Sequence, residues 1–207
     1  MRASSTVLGI AMFLMAGCAT PSKNLVGGVY VSPNGGFSYE IPEMDRIELK
    51  VHEDILPNGG NVRFLQWSHF KRVDYVSLYP TVEREIQDAA FREGFLRLFT
   101  TNVFLPGVVE YVPEAEVRET SIEEIGGTRL LYVSMFMPAA SATSVDGKRL
   151  DGCRCSLTHS DGKRVYVFTV SAAVDRDVEL TPEEAFAKTE KWVKRELFSF
   201  FGDVRIQ

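Results

Sequence analysis

Along the first third of the chain, apolar residues fall in the short runs and two-residue alternations that strands require. Residues 29–31 and 37–41 flank Pro33-Asn34-Gly35-Gly36, and Asn-Gly between two such runs predicts a hairpin. Residues 46–51 alternate apolar and polar with period two, Asn58-Gly59-Gly60 marks a turn, and 62–67 and 73–78 read as two more strands. The period then lengthens. After Pro80-Thr81, residues Val82, Ile86, Ala89, Ala90 and Phe95 recur near helical spacing, opposite Glu83, Arg84, Glu85, Asp88 and Arg92, which predicts a helix over 81–100. Its first turn is acidic, as the helix dipole favours, and Gly94 weakens its later part by about 1 kcal/mol relative to Ala.

Strand patterns resume at 108–112 and 116–125. Gly126-Gly127 turns the chain into 128–137, apolar enough for a central strand, and 151–158 and 163–174 flank Ser160-Asp161-Gly162 as a last hairpin. Between them, 138–152 reads as a loop of small and polar residues. A final helix is marked at its start, where Thr181 caps, Pro182 suits the first position and Glu184 completes a capping box. Phe186, Thr189, Trp192 or Val193, and Leu197 form its buried stripe; Phe198-Ser199-Phe200-Phe201 reads as core and Gly202 as the stop. This order implies an α+β fold, a largely antiparallel sheet covered by helices, with a C-terminal helix.

The opening Tyr30-Val31-Ser32-Pro33-Asn34-Gly35-Gly36-Phe37-Ser38-Tyr39-Glu40-Ile41-Pro42 resembles the start of the Mog1/PsbP-like group, whose members often begin with a hairpin ending in an aromatic strand and Pro. Residues 116–201 are similar to it in pattern: hairpins through Gly126-Gly127 and Asp161-Gly162, then the C-terminal helix. The strands of 46–78 and the late first helix depart from that pattern. The group includes accessory and assembly proteins, so the resemblance implies a non-enzymatic role.

Residues 1–17 read as an export signal. Arg2 supplies the positive start, 7–15 a short apolar core broken by Gly9, and Ala16 and Gly17 precede Cys18. The apolar run is far below the roughly 18 to 20 residues of a spanning helix. Met15-Ala16-Gly17-Cys18 resembles the bacterial lipobox, in which small residues precede the Cys that receives lipid, although Met15 stands where Leu is commoner. The resemblance implies removal of 1–17 and several acyl chains on Cys18; one chain alone would anchor only marginally. Ala19 stands where an inner-membrane retention signal often has Asp, which favours an outer membrane facing the periplasm in a cell with two membranes. Residues 18–27 then form the acylated Cys and tether, and 28–207 a single globular domain. A buried apolar N-terminal element with an incidental Cys is the competing reading.

Formal charge is −5 over 207 residues, and near −6 once Arg2 leaves with the signal. That balance argues against nucleic acid, which needs clustered cations, and against a polybasic membrane-binding face.

The candidate chemistry is sparse. Cys153 and Cys155, two apart on a strand, share a face with Cα atoms roughly 6.5 to 7 Å apart, the upper edge of disulfide geometry. Three readings stay open: a strained, redox-active bridge, a soft-metal half-site with His159, or two small buried hydrophobes. A second Cys or His pair for a four-ligand zinc site is missing. His159-Ser160-Asp161 has the residue types of a hydrolase triad but sits at a hairpin turn, and triads assemble in space. His52-Glu53-Asp54 lacks the second His of H-E-x-x-H and reads as a solvated strand end; His69, beside Trp67 and Phe70, reads as packing. The glycine pairs at 35–36, 59–60 and 126–127 lack the Lys-Ser/Thr of a phosphate loop. Glu114, Glu116, Glu119, Glu123 and Glu124 make an acidic stretch suited to a cation or basic partner, or to a solvated strand face.

The sequence thus reads as a non-catalytic envelope lipoprotein without cofactor or metal, attached to the membrane through Cys18 and acting on an envelope protein as a binding or assembly module. A carrier of a small apolar or lipid ligand held near Trp67 or Trp192 is the second reading, and a thiol redox factor using Cys153 and Cys155 the third.

Overall fold

The computed structural model describes residues 22–34, 36–46, 49–66, 69–143, 149–174 and 180–207. Cys18 and Trp67 lie outside them. The described part of the chain opens with three short strands, β1 (Leu25–Val26), β2 (Val29–Val31) and β3 (Phe37–Glu40), with β2 and β3 paired as the expected hairpin. A 3₁₀ turn, Glu43–Arg46, occupies the start of what the alternation assigned to a strand; the strand itself, β4, is Lys50–Leu56. Arg46 turns back here, its Nε donating to the Ile41 carbonyl at 2.9 Å and its guanidinium lying over Gly28. Gly28 has φ +83°, and a β-carbon there would collide with that group.

Strands β5 (Gly59–Leu65) and β6 (His69–Ser77) follow, so Gly59 and Gly60 belong to a strand and not to the turn expected of them. The helical region is longer than its periodicity predicts. It comprises α1 (Pro80–Glu85), α2 (Ala89–Phe99), a π-helical turn (Thr100–Phe104) and α3 (Leu105–Tyr111). Asp88 caps α2, its carboxylate accepting from the Ala90 and Phe91 amides at 2.9 Å each. The strand expected over 108–112 is therefore helix through Tyr111. Val108 is buried against Val133, Met135 and Met137, and this burial overrides the strand propensity of Val108 and Val109.

Strands β7 (Glu116–Ile125), β8 (Thr128–Thr143), β9 (Arg149–Ser160) and β10 (Arg164–Ala173) come next. The loop expected over 138–152 is a correction: β8 runs to Thr143 and β9 starts at Arg149, with Ala142 paired to Leu150. Helix α4 (Pro182–Asp203) has both reciprocal bonds of the capping box, runs one residue past Gly202, and leads into a strand the sequence pattern does not announce, β11 (Val204–Ile206).

Among the described residues two sheets result, in the order β1-β2-β3-β11 and β4-β5-β6-β10-β9-β8-β7, with every pairing antiparallel. The fold is thus α+β, as expected, with a large antiparallel sheet and a C-terminal helix packed on it. One face of the seven-stranded sheet carries most of the core, and residues 116–120 of β7 stay exposed at its edge. Helix α4 lies over its β9 and β10 side through Ala185, Val193, Leu197 and Phe200, and the small sheet brings Tyr30, Phe37 and Tyr39 onto Phe64 and Tyr75. The opposite face is buried by α2 and α3 through Leu131, Val133, Met135, Met137 and Val165. Over β4, β5 and β6 this second face turns polar and stays open to solvent, with Arg63, Arg72, Asp54 and Asp74 side chains 30–59 % exposed.

Candidate functional site

Strand alternation sends Cys153 and Cys155 to the α4 face, as the sequence spacing requires, and both are buried to 0 % exposure as free thiols. Tyr132 Oη, on the neighbouring β8, donates to Cys155 Sγ at 3.2 Å. Cys153 shares its proton with Cys155; that bond, and burial after it, push the Cys153 thiol up. Cys155 is lowered by accepting from Cys153 and then from Tyr132, against the opposing effect of burial. Over this pair, α4 places Glu190, which accepts from Ser134 Oγ, and Lys194, whose ammonium is 4.2 Å from the Tyr132 ring centre. His159 lies further along β9, stacked on Tyr166 at 6.3 Å and edge-on to Phe201 at 6.0 Å, apart from the two sulfurs. Among the described residues no three His, Cys, Asp or Glu side chains gather as a metal centre.

This arrangement sets two sulfurs side by side under a helix and offers solvent no route to them. We expect the folded protein to protect both thiols from a maleimide, in a chain whose Cys18 is acylated or replaced by Ser, and to release them only in denaturant. Labelling of either within minutes under native conditions would overturn the buried assignment.

Burial also lowers His159 to about 4, with Arg92 adding to the effect and Asp161 opposing it. The turn after it is built by Asp161, whose carboxylate accepts from the Lys163 and Arg164 amides at 2.7 and 2.6 Å and from Tyr166 Oη at 2.9 Å. His159-Ser160-Asp161 is therefore a strand end and its turn, as its position predicts. A cavity of about 440 Å³ opens beside it, lined by Arg92, Ile122, Arg129 and His159 among others.

Trp192 is half-buried on α4 and meets the His69 ring edge-on at 5.1 Å, away from that cavity. Beside His69, Lys71 is almost fully enclosed and pairs with Asp45 at 2.7 Å. Of the acidic stretch, Glu123 and Glu119 reach Lys194 at 2.9 and 3.6 Å, so part of it serves α4 docking instead of facing water alone. Burial would lower Lys194, but these two carboxylates outweigh it and raise its pKa.

His52 and Asp54 lie on the open half-face, while Glu53 points the other way and accepts from Ser22 Oγ and from Asn24 Nδ2, the latter at 2.8 Å. Sequence reasoning missed that half-face as a site. Its strands were recognised by alternation, but which polar positions stand side by side depends on register.

No family model matches the chain, and no curated protein matches it. Among solved structures it is similar to the cyanobacterial PsbP (CyanoP) of Synechocystis sp. PCC 6803, at 13 % identity and a TM-score of 0.47, covering 86 % of this chain and 91 % of that one. It is similar to the Ran-binding protein Mog1p of Saccharomyces cerevisiae at 9 % identity and a TM-score of 0.46, covering 86 % and 94 %. A Bacteroides thetaiotaomicron protein matches at 11 % identity and a TM-score of 0.46 over 87 % of this chain, which spans only 48 % of that protein. A PsbP and a Mog1 protein thus stand among its structural neighbours, at a depth of likeness that assigns the chain neither a ligand nor a role.

Proposed function

We propose that this chain is an envelope lipoprotein, held to the membrane by acylated Cys18, whose globular part is a non-catalytic docking module for another protein. The observation that carries the docking part is the open polar half-face over β4, β5 and β6, in a sheet whose central strands are covered by helices and by the small sheet. The Met15-Ala16-Gly17-Cys18 tetrad supports the anchor. Several acyl chains would confine the module to one surface, raising its effective concentration toward a partner on that surface.

The test is fractionation and cross-linking in intact cells, comparing the natural chain with Cys18→Ser. The expected result is a membrane-bound natural chain with a reproducible cross-linked partner, and a released variant in which that cross-link falls at least tenfold. A natural chain that stays soluble would remove the anchor. Membrane attachment without any partner would remove the docking role.

A further inference from the structure

Register brings together on the open half-face residues that are scattered in sequence. His52, Arg63 and Arg72 stand directly across from one another on β4, β5 and β6, and Asp54, Asn61 and Asp74 form the next row. Arg154 enters from β9 on the same face, its Nε donating to Ser171 Oγ at 3.1 Å and its guanidinium 6.0 Å from the Phe70 ring centre. Arg63 opposite Arg72 is a like-charge pair, which costs stability in a sheet. Asp54 holds Arg63 at 3.1 Å and Asp74 holds Arg72, but Arg154 has no carboxylate within ion-pair distance among the described residues. The face thus carries three guanidinium groups and two carboxylates, both of them already engaged.

Several polar atoms of this patch are enclosed without a protein partner: His52 Nε2, Asn61 Oδ1, Arg63 Nε and Arg72 Nε. Such atoms are uncommon in folded proteins, and four on one sheet face show that its polar groups are imperfectly paired. Burial first, and then the nearby Arg72 charge, lower Arg154 to about 10. An incoming anion would relieve that crowding. The patch is a shallow strand surface, which suits an extended segment with several carboxylates better than a single small anion.

We propose that the half-face centred on Arg63, Arg72 and Arg154 docks an acidic segment of a partner protein. Carboxylates would bind the arginines as charge-assisted, partly bidentate pairs, the kind of contact for which Arg is enriched at interfaces. This rests on the docking role above and names the chemistry of the partner.

The test uses the mature acylated chain in neutral detergent and a fluorescent deca-glutamate peptide, with deca-glutamine as control. Deca-glutamate binding is expected, weakening with salt and falling tenfold or more in Arg63→Gln/Arg72→Gln. Arg154→Gln alone should act in the same direction, and Arg195→Gln, on the outer side of α4 and 73 % exposed, should leave binding unchanged. Each variant is compared only after its circular dichroism and urea midpoint match the natural chain; Arg63→Gln, at a 41 % exposed side chain, is the substitution to fall back on if the others misfold. Equal binding of the two peptides, or an equal loss in Arg195→Gln, would overturn the proposal, as would binding to phosphatidylglycerol vesicles through these arginines with none to the peptide. If the cellular cross-link persists while deca-glutamate fails, the acidic partner is wrong and the docking role stands; if the cross-link is absent, the docking role itself fails.

Discussion

Replacing Phe200 by Ala is expected to cost about 3–5 kcal/mol of folding stability, a large part of the roughly 5–15 kcal/mol that a domain has. Phe200 is fully buried on α4 and stands at the point where three layers meet. Its ring lies edge-on to Tyr39 of the small sheet at 4.8 Å, to Phe64 of β5 at 6.2 Å and to Phe168 of β10 at 6.1 Å. Deleting it removes the transfer energy of the ring and leaves a cavity among aromatic groups that are held by two sheets and cannot collapse inward. The edge-on contacts add a further fraction, about 0.5–1.5 kcal/mol for each well-formed pair. Urea unfolding followed by far-ultraviolet circular dichroism would show the midpoint fall with the slope unchanged. Phe201→Ala should cost less, since that ring is only half-buried against Phe168 and His159. A loss below about 1 kcal/mol for Phe200→Ala would mean that α4 is not docked through this residue.

That cluster also shows what was legible in the chain and what was not. Local signals carried well. Thr181 and Glu184 announce α4 because a capping box satisfies two amide groups within four residues, and the β2–β3 hairpin follows from Asn34-Gly35 between apolar runs. The errors lie where distant partners decide. Residues 108–112 look like a strand, yet Val108 finds Met135 and Met137 of β8, and the helix continues to Tyr111. Residues 139–143 are small and unpatterned, and become strand by pairing with the start of β9. β11 has only three residues, and its identity comes from Phe37 to Tyr39, more than 160 positions away in sequence. The arginine face belongs to the same class. Alternation places each of Arg63, Arg72 and Arg154 on one side of its own strand, but only the long-range register of β6 with β10, and of β10 with β9, joins them. The Cys153–Cys155 spacing did give their shared face, while the helix that seals them had no local signature of doing so.

A second large effect is expected at the ion pair beside Phe200. Asp45→Ala should cost about 3–5 kcal/mol, because it strands a buried cation. Lys71 is 3 % exposed, with its ammonium 2.7 Å from Asp45 Oδ2, 3.4 Å from Tyr39 Oη and 5.8 Å from the Phe200 ring centre. Without the carboxylate, the tyrosine hydroxyl and two ring faces are poor compensation for lost hydration. Lys71→Met should be milder, since the Asp45 side chain is 23 % exposed and can turn to water. The double replacement, Asp45→Ala with Lys71→Met, is expected to recover most of the loss, because two apolar groups need no pairing. Acid should act on the natural chain in the same sense. Burial alone would raise the Asp45 carboxyl, but the hydrogen bonds from Lys71 and Gln66 outweigh it and hold the pKa below its usual value. The unfolded chain therefore takes up that proton first, and the pair's contribution, complete above about pH 4, is lost as pH falls through the lower folded value. Stability curves for the four chains at pH 7 and pH 3 would test this. Strictly additive costs at pH 7, or an Asp45→Ala loss that survives unchanged at pH 3, would show that Lys71 is not held in place by that carboxylate.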